Sequence, residues 1–316
     1  MIEAAAAQRR EPVTLFDWDP GGDVPLEYYQ WMIAHPRMPA AARALGVSSV
    51  ETSSDPVMRD ICKDAGRYVA GLGMIWLDLT GGLTLPRLKD MCSRSRVLSP
   101  GRARSFLQYL HHVGYLELVR PARSVVPALY APSARFRAAW TQHLRGPVAA
   151  AALIAPEASA LLERLDDHAV CATFLRLQGG CLFDSTVTTG VGGSVFDAFY
   201  YPLAGVQVLS MLIAGGDERS FPSRRPVPLP INPTARQLGV SRMHLKRLLV
   251  HAVASNLLAA HPGGAYALLE PADEQLRFIY AAQLICLLIP IGRTLRAHGV
   301  AAKHDGVQSK MFNCDA

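Results

Sequence analysis

What this sequence lacks narrows its function first. Its six cysteines, Cys62, Cys92, Cys171, Cys181, Cys286 and Cys314, form no CxxC pair and stand at no spacing with histidine that suits zinc. That pattern excludes a zinc module and fits thiols kept reduced. The opening residues, MIEAAAAQRREP, contain no apolar core of signal-peptide length, and the longest apolar run, residues 278–291, is short for a bilayer span. His111, His112 and His251 have no acidic partner at ligand spacing. Gly190-Val191-Gly192-Gly193 lacks the preceding apolar strand and the following strand–helix alternation of a nucleotide fold. The expectation is a cytoplasmic protein that is not an enzyme, with no cofactor, no metal site and no membrane partner.

Charge is scarce as well. Only 18% of residues are charged against 50% apolar, so the 316-residue chain has material for a large core and about two domains. The formal net charge of +6 hides an uneven distribution. Residues 84–105 hold Arg87, Lys89, Arg94, Arg96, Arg102 and Arg104 against the single acid Asp90. Residues 222–251 hold Arg224, Arg225, Arg236, Arg242, Lys246 and Arg247 with no acid. Cations gathered in two short segments suggest a polyanionic partner; two solvated helix faces are the plainer alternative.

The second basic segment contains NPTARQLGVSRMHLKRLLVH, which has the spacing of a helix-turn-helix. Ala235 is the small residue where two helices cross and Gly239 makes the turn. Leu238, Val240, Leu245, Leu248 and Leu249 fill the space between the helices. Ser241 caps a second helix whose outer face is expected to carry Arg242, His244, Lys246 and Arg247.

A shift of 142 positions finds a less perfect copy in LSPGRARSFLQYLHHVGYLELV. Ser99 falls on Ser241, Ala103 on Leu245, Phe106 on Leu248, Leu107 on Leu249, and Tyr115-Leu116 on Leu257-Leu258. Pro100 follows the cap at the first helical position. Each copy has an apolar helix before it, residues 67–78 and 200–213, then a short helix, residues 85–92 and 233–238. Each is followed by a strand-turn-strand pattern, with strands at 115–120 and 125–130 in the first copy and at 257–260 and 265–269 in the second, closed by Pro132 or Pro271 and a longer helix. Residues 93–96 add about four positions to the first turn. AARALGVSS around Ala42 copies the motif superficially, but Thr52 and Asp55 occupy its later core positions, so it is not expected to be a third head. The expected divisions are an N-terminal arm at 1–66 (with Trp18, Tyr28, Tyr29 and Trp31), a first domain at 67–144, a helical linker at 145–199 that includes a flexible loop at 184–194, and a second domain at 200–316.

This layout resembles winged-helix transcriptional regulators, nearest in pattern to the MarR-like group, over residues 67–144 and 200–291. The resemblance implies a mainly α fold with small β-wings, two winged-helix domains related by a pseudo-twofold and joined by a helical middle segment. It implies binding of double-stranded DNA, with the reading helices in successive major grooves and the hairpins on the backbone. Carried onto this chain, the DNA-binding residues are Lys89, Arg102, Arg104, Ser105, Gln108, Arg120, Arg123, Ser241, Arg242, His244, Lys246 and Arg247, with His261 at the second wing. Arg102 and Arg242 would read bases, and Lys89 and Lys246 would meet phosphates. The chain would act as a pseudo-symmetric monomer or as a homodimer. Relatives of this kind often take a small apolar or aromatic effector. Trp76, Trp140, Phe174, Tyr200 and Tyr201 are the residues for such a site, ordinary core being the alternative. Cys92, beside the first head, is expected to pack rather than to sense oxidation. A replication initiator with two winged helices and a protein-interaction scaffold without DNA binding remain the rival readings.

Overall fold

The computed structural model describes residues 24–51, 55–95, 98–183 and 193–300. Expectations that fall on Trp18, Arg96, Cys314 and most of the 184–194 segment lie outside the described residues. The chain is mainly helical with two small three-stranded antiparallel sheets. It begins with α1 (Leu26–Ala34), α2 (Met38–Glu51) and α3 (Pro56–Ile61), the last capped by Asp55, whose carboxylate accepts from the Val57 and Met58 amides.

One order of elements then occurs twice. The first unit runs α4 (Ala65–Leu79), β1 (Leu83–Thr84), α5 (Leu85–Arg94), α6 (Pro100–His112), β2 (Leu116–Arg120) and β3 (Leu129–Pro132), and ends in α7 (Ala134–Ala152). After α8 (Ser159–Leu162) and α9 (His168–Phe183), the second unit runs α10 (Gly205–Ala214), β4 (Val227–Pro228), α11 (Ile231–Leu238), α12 (Arg242–Ala254), β5 (Leu258–His261) and β6 (Ala265–Leu268), and ends in α13 (Asp273–Ala297). The sheets have the same strand order, β1-β3-β2 and β4-β6-β5.

The correspondence extends to single hydrogen bonds. Ser99 and Ser241 each cap their helix by accepting from the amide three residues on, at 3.4 and 3.1 Å. The exit from each helix uses a positive φ, at Gly114 (75°) and Asn256 (56°), followed by Tyr115 N–H to Leu110 C=O and Leu257 N–H to Ala252 C=O. All four positions keep the offset of 142. Glycine and asparagine tolerate this left-handed geometry best. Within each unit Ala103, Phe106, Leu107 and Leu110, or Leu245, Leu248, Leu249 and Ala252, are buried. Each buried leucine stabilises the packing by about 1.5–3 kcal/mol.

Several boundaries differ from expectation for local reasons. The apolar stretch 200–213 is not one helix: Ala204 adopts φ 62°, separating a π-helical turn, Phe196–Tyr200, from α10. Residues 125–128, expected as strand, belong to the exposed hairpin tip, where Arg123 and Val126 exchange two backbone hydrogen bonds. The lookalike motif around Ala42 lies in the unbroken α2, with no turn. Gly46 in that helix faces the Ser210 carbonyl and the Ala214 amide of α10 so closely that a Cβ would stand 3.0–3.1 Å from them.

Two cores result. The first gathers α4, α5, α6, α7 and α9; the second gathers α10, α11 and α12. α2 and α13 belong to both: Ala41 packs into the first core and Met38 and Ala42 into the second, whereas Leu276, Ile279 and Tyr280 pack into the second and Leu284, Ile285 and Leu288 into the first. The helices α1, α2 and α3 therefore belong to the body, with α2 joining both halves. α13 is long and apolar enough to cross a bilayer (mean hydropathy 1.7), but 72% of that window is buried inside the protein. It serves here as a core helix.

The first core has a titratable centre. Trp140 is fully buried against Tyr68, Phe136 and His143, with ring centroids 5.4–5.8 Å apart. Burial lowers His143 from 6.5 to about 4. Between those pH values the unfolded chain binds a proton that the folded chain refuses, so stability falls as pH drops through this window. The linked loss is about 3 kcal/mol in total. Urea unfolding at about pH 7.5 and about pH 4 is expected to show this loss, and His143→Gln is expected to remove most of the difference.

Candidate nucleic-acid interface

α6 and α12 bury one face and leave the other in solvent. On α6, Arg102, Arg104, Ser105, Gln108, His111 and His112 are exposed. Arg104 and Gln108 make no side-chain hydrogen bond or ion pair among the described residues, whereas Ser105 donates to the Gly101 carbonyl at 3.2 Å. Arg102, expected to read bases, points its guanidinium back to within 3.6 Å of Asp64, the capping residue of α4. Its side chain is still 59% exposed. His111 is anchored to the Leu116 carbonyl at 3.0 Å.

On α12, Arg242, Lys246 and Arg247 are exposed, as expected. His244 corrects the expected outer face. It is half-buried and its Nε2 donates to the Leu203 carbonyl at 2.8 Å, so its role is to hold α12 to the start of α10. Arg102 occupies the matching position in the first unit and makes the matching contact at the start of α4. Met243 and Val250, exposed at 59% and 57%, stand on the outer face and were not singled out from the sequence. Their helical spacing from Lys246 and Arg247 was the available signal.

The basic segments contribute less than their composition suggests. Arg87 donates to the Gly82 and Thr80 carbonyls, Arg94 pairs with Asp90 at 3.0 Å, and Arg224 pairs with Asp273. These are structural or self-neutralised cations. Lys89 is half-buried on α5, while Arg225 and Arg236 are exposed. Around Arg236 and Arg242 a concavity of about 430 Å³ opens between α11 and α12, lined also by Asn232, Ala235, Val240 and Ser241. Gly239, at φ 61°, makes the turn that shapes it. The first hairpin exposes Arg120 and Arg123 beside Val125, which is 92% exposed. The second hairpin is shorter, turning through Gly263 and Gly264 with His261 exposed.

Both reading helices start beside one connector. Asp64 faces Arg102 of α6, while the adjacent Lys63 donates to the Gly239 carbonyl at 3.5 Å and accepts from the Ala204 amide through its own carbonyl at 2.7 Å. Asp60 takes the Tyr109 hydroxyl of α6 at 2.6 Å and pairs with Lys63. Burial raises the Asp60 pKa, but the hydrogen bonds from Lys63 and Tyr109 outweigh it and hold the carboxyl below its ordinary value.

The five aromatic residues proposed for an effector site are not brought together. Trp76, Trp140 and Phe174 are packed in the first core, Tyr200 is in the second with its hydroxyl accepting from Gln283 at 3.0 Å, and Tyr201 is 63% exposed. Trp76 is filled in by Gly179, which leaves no room for a Cβ, and by the Phe183 ring at 5.1 Å. Cys92 is buried, which pushes its thiol up to about 11 and keeps it protonated at neutral pH. No family model, curated protein or solved structure matches the chain.

Proposed function

We propose that this chain is a tandem winged-helix protein that binds double-stranded DNA, acting in the cytoplasm as a transcriptional regulator. The observation that carries the reading is the duplicated helix–strand–helix–helix–hairpin unit, with an exposed cationic helix at the same place in each copy. Both helices start beside the Lys63-Asp64 dipeptide, with Arg102 of α6 reaching Asp64 and Lys63 reaching the turn residue Gly239 before α12. In this reading one duplex engages both heads. Lys89, Arg104, Gln108, Arg120, Arg123, Arg236, Arg242, Lys246 and Arg247 are the phosphate and base contacts to that duplex, and Arg102 and His244 are positioning residues. The concavity beside Arg236 and Arg242, at the N-terminus of α12, suits a phosphate group. A single chain supplies both heads, so DNA binding requires no second copy. The effector reading keeps only its general form, since its five aromatic residues lie apart.

A gel shift with random duplex at low salt tests this directly. Six to eight phosphate contacts give a slope of log affinity against log salt of about −5 to −7. A slope near zero, or no shift at low salt, would leave the fold as a protein-interaction scaffold. The initiator reading has one observation in its favour: the two heads differ in surface chemistry, so a bound site has direction and can recur head to tail. Sequences selected from a random DNA pool separate these roles, tandem copies favouring an initiator and isolated sites a regulator.

A further inference from the structure

The two reading helices carry different chemistry at equivalent positions. Along the 142-residue offset, Gly101, Ser105, Gln108, His111 and His112 of α6 correspond to Met243, Arg247, Val250, Val253 and Ala254 of α12. The hydrogen-bonding residues in the later turns of α6 are thus replaced in α12 by apolar ones. Met243, Val250 and Val253 are 59%, 57% and 38% exposed. At spacings of seven and three they form a stripe along α12 that also carries Lys246 and Arg247. An exposed apolar stripe on a helix has a partner to explain.

Charge identifies that partner. From Arg219 to Leu269 the chain has seven Lys and Arg residues and no Asp or Glu, and although Arg224 is taken by Asp273, Arg225, Arg236, Arg242, Lys246 and Arg247 are exposed. This surface therefore fits a polyanion that presents apolar groups at groove depth. The major groove of DNA does so through the C5-methyl of thymine, the one apolar group among its hydrogen-bonding base edges. Resting on the DNA-binding reading above, we infer that α12 recognises thymine methyls through Met243, Val250 and Val253, while α6 reads base edges by hydrogen bonds from Arg104 and Gln108. The bound site is then directional, with one methyl-dependent half and one hydrogen-bonded half.

The experiment uses the full chain and a duplex selected from a random pool. Thymines are replaced one at a time by deoxyuridine, which keeps its pairing and hydrogen-bonding edges but lacks the methyl. Affinity is expected to fall about fourfold at each contacted thymine, the ratio that transfer of one methyl group predicts. The sensitive positions are expected to cluster in one half of the site. Val250→Ala, at an exposed position, is expected to lose part of that sensitivity, whereas Gln108→Ala weakens binding and keeps it. If the parent duplex binds and no thymine in it is sensitive, or if Val250→Ala is as sensitive as the parent, the inference is overturned and DNA binding stands. If no duplex binds, the functional reading itself fails. A dimer of the free chain that Val250→Arg dissociates would assign the stripe to a second copy and overturn the inference.

Discussion

Replacing Arg242, Lys246 and Arg247 together with alanine is expected to weaken binding to duplex DNA about 100- to 1,000-fold at about 0.1 M salt, and to flatten the salt slope by two to three. The magnitude follows from counterion release at about 0.9 per phosphate contact, or slightly less than tenfold per contact at this salt. All three side chains are exposed, and no described acid pairs with them. The opposite face of α12 holds the helix in place through Leu245, Leu248, Leu249 and Ala252, so the variant is expected to melt with the parent protein. A triple variant that binds as tightly as the parent would remove α12 from the interface. Arg102→Ala, by contrast, also removes one of the two guanidinium partners of the buried Asp64 carboxylate, leaving Arg67 at 3.5 Å, so its effect on binding is mixed with an effect on stability.

Trp140→Ala is expected to cost about 3–5 kcal/mol of stability, the range for deleting a large buried aromatic residue. The indole is completely enclosed, and its removal takes away the stacking with Tyr68 and the edge contacts with Phe136 and His143. Tyr201→Ala is expected to change stability by less than about 0.5 kcal/mol, because its ring is largely in solvent. Urea unfolding of the pair measures both. Equal effects at the two positions would contradict the division of the aromatic residues into core and surface.

Much of this architecture could be read from residues close together in the chain. A serine cap, a proline at the first helical position, a glycine in the turn and an apolar residue every three or four positions are local signals. They located α6, α11 and α12 and the hairpins behind them to within a few residues, and the offset of 142 held down to individual caps and turns. The four extra residues before Ser99 were visible for the same reason. Segments whose conformation depends on distant partners were harder to read. The break at Ala204 goes with an amide bonded to the carbonyl of Lys63, in the connector before α4 and far away in the chain, and no neighbour of Ala204 announces it.

The sequence by itself determined the helical class, the repeat and which helices would be amphipathic, because propensity, capping and periodicity act over a few residues. Only the tertiary structure decided which cations remain available. Arg87 went to backbone carbonyls, Arg224 to Asp273, Arg102 toward Asp64 and His244 to Leu203. It also turned Met243 and Val250 to solvent and threaded α2 and α13 through both cores. Charge and apolar character are properties of a residue, whereas exposure and pairing depend on residues tens to hundreds of positions away that folding brings alongside it.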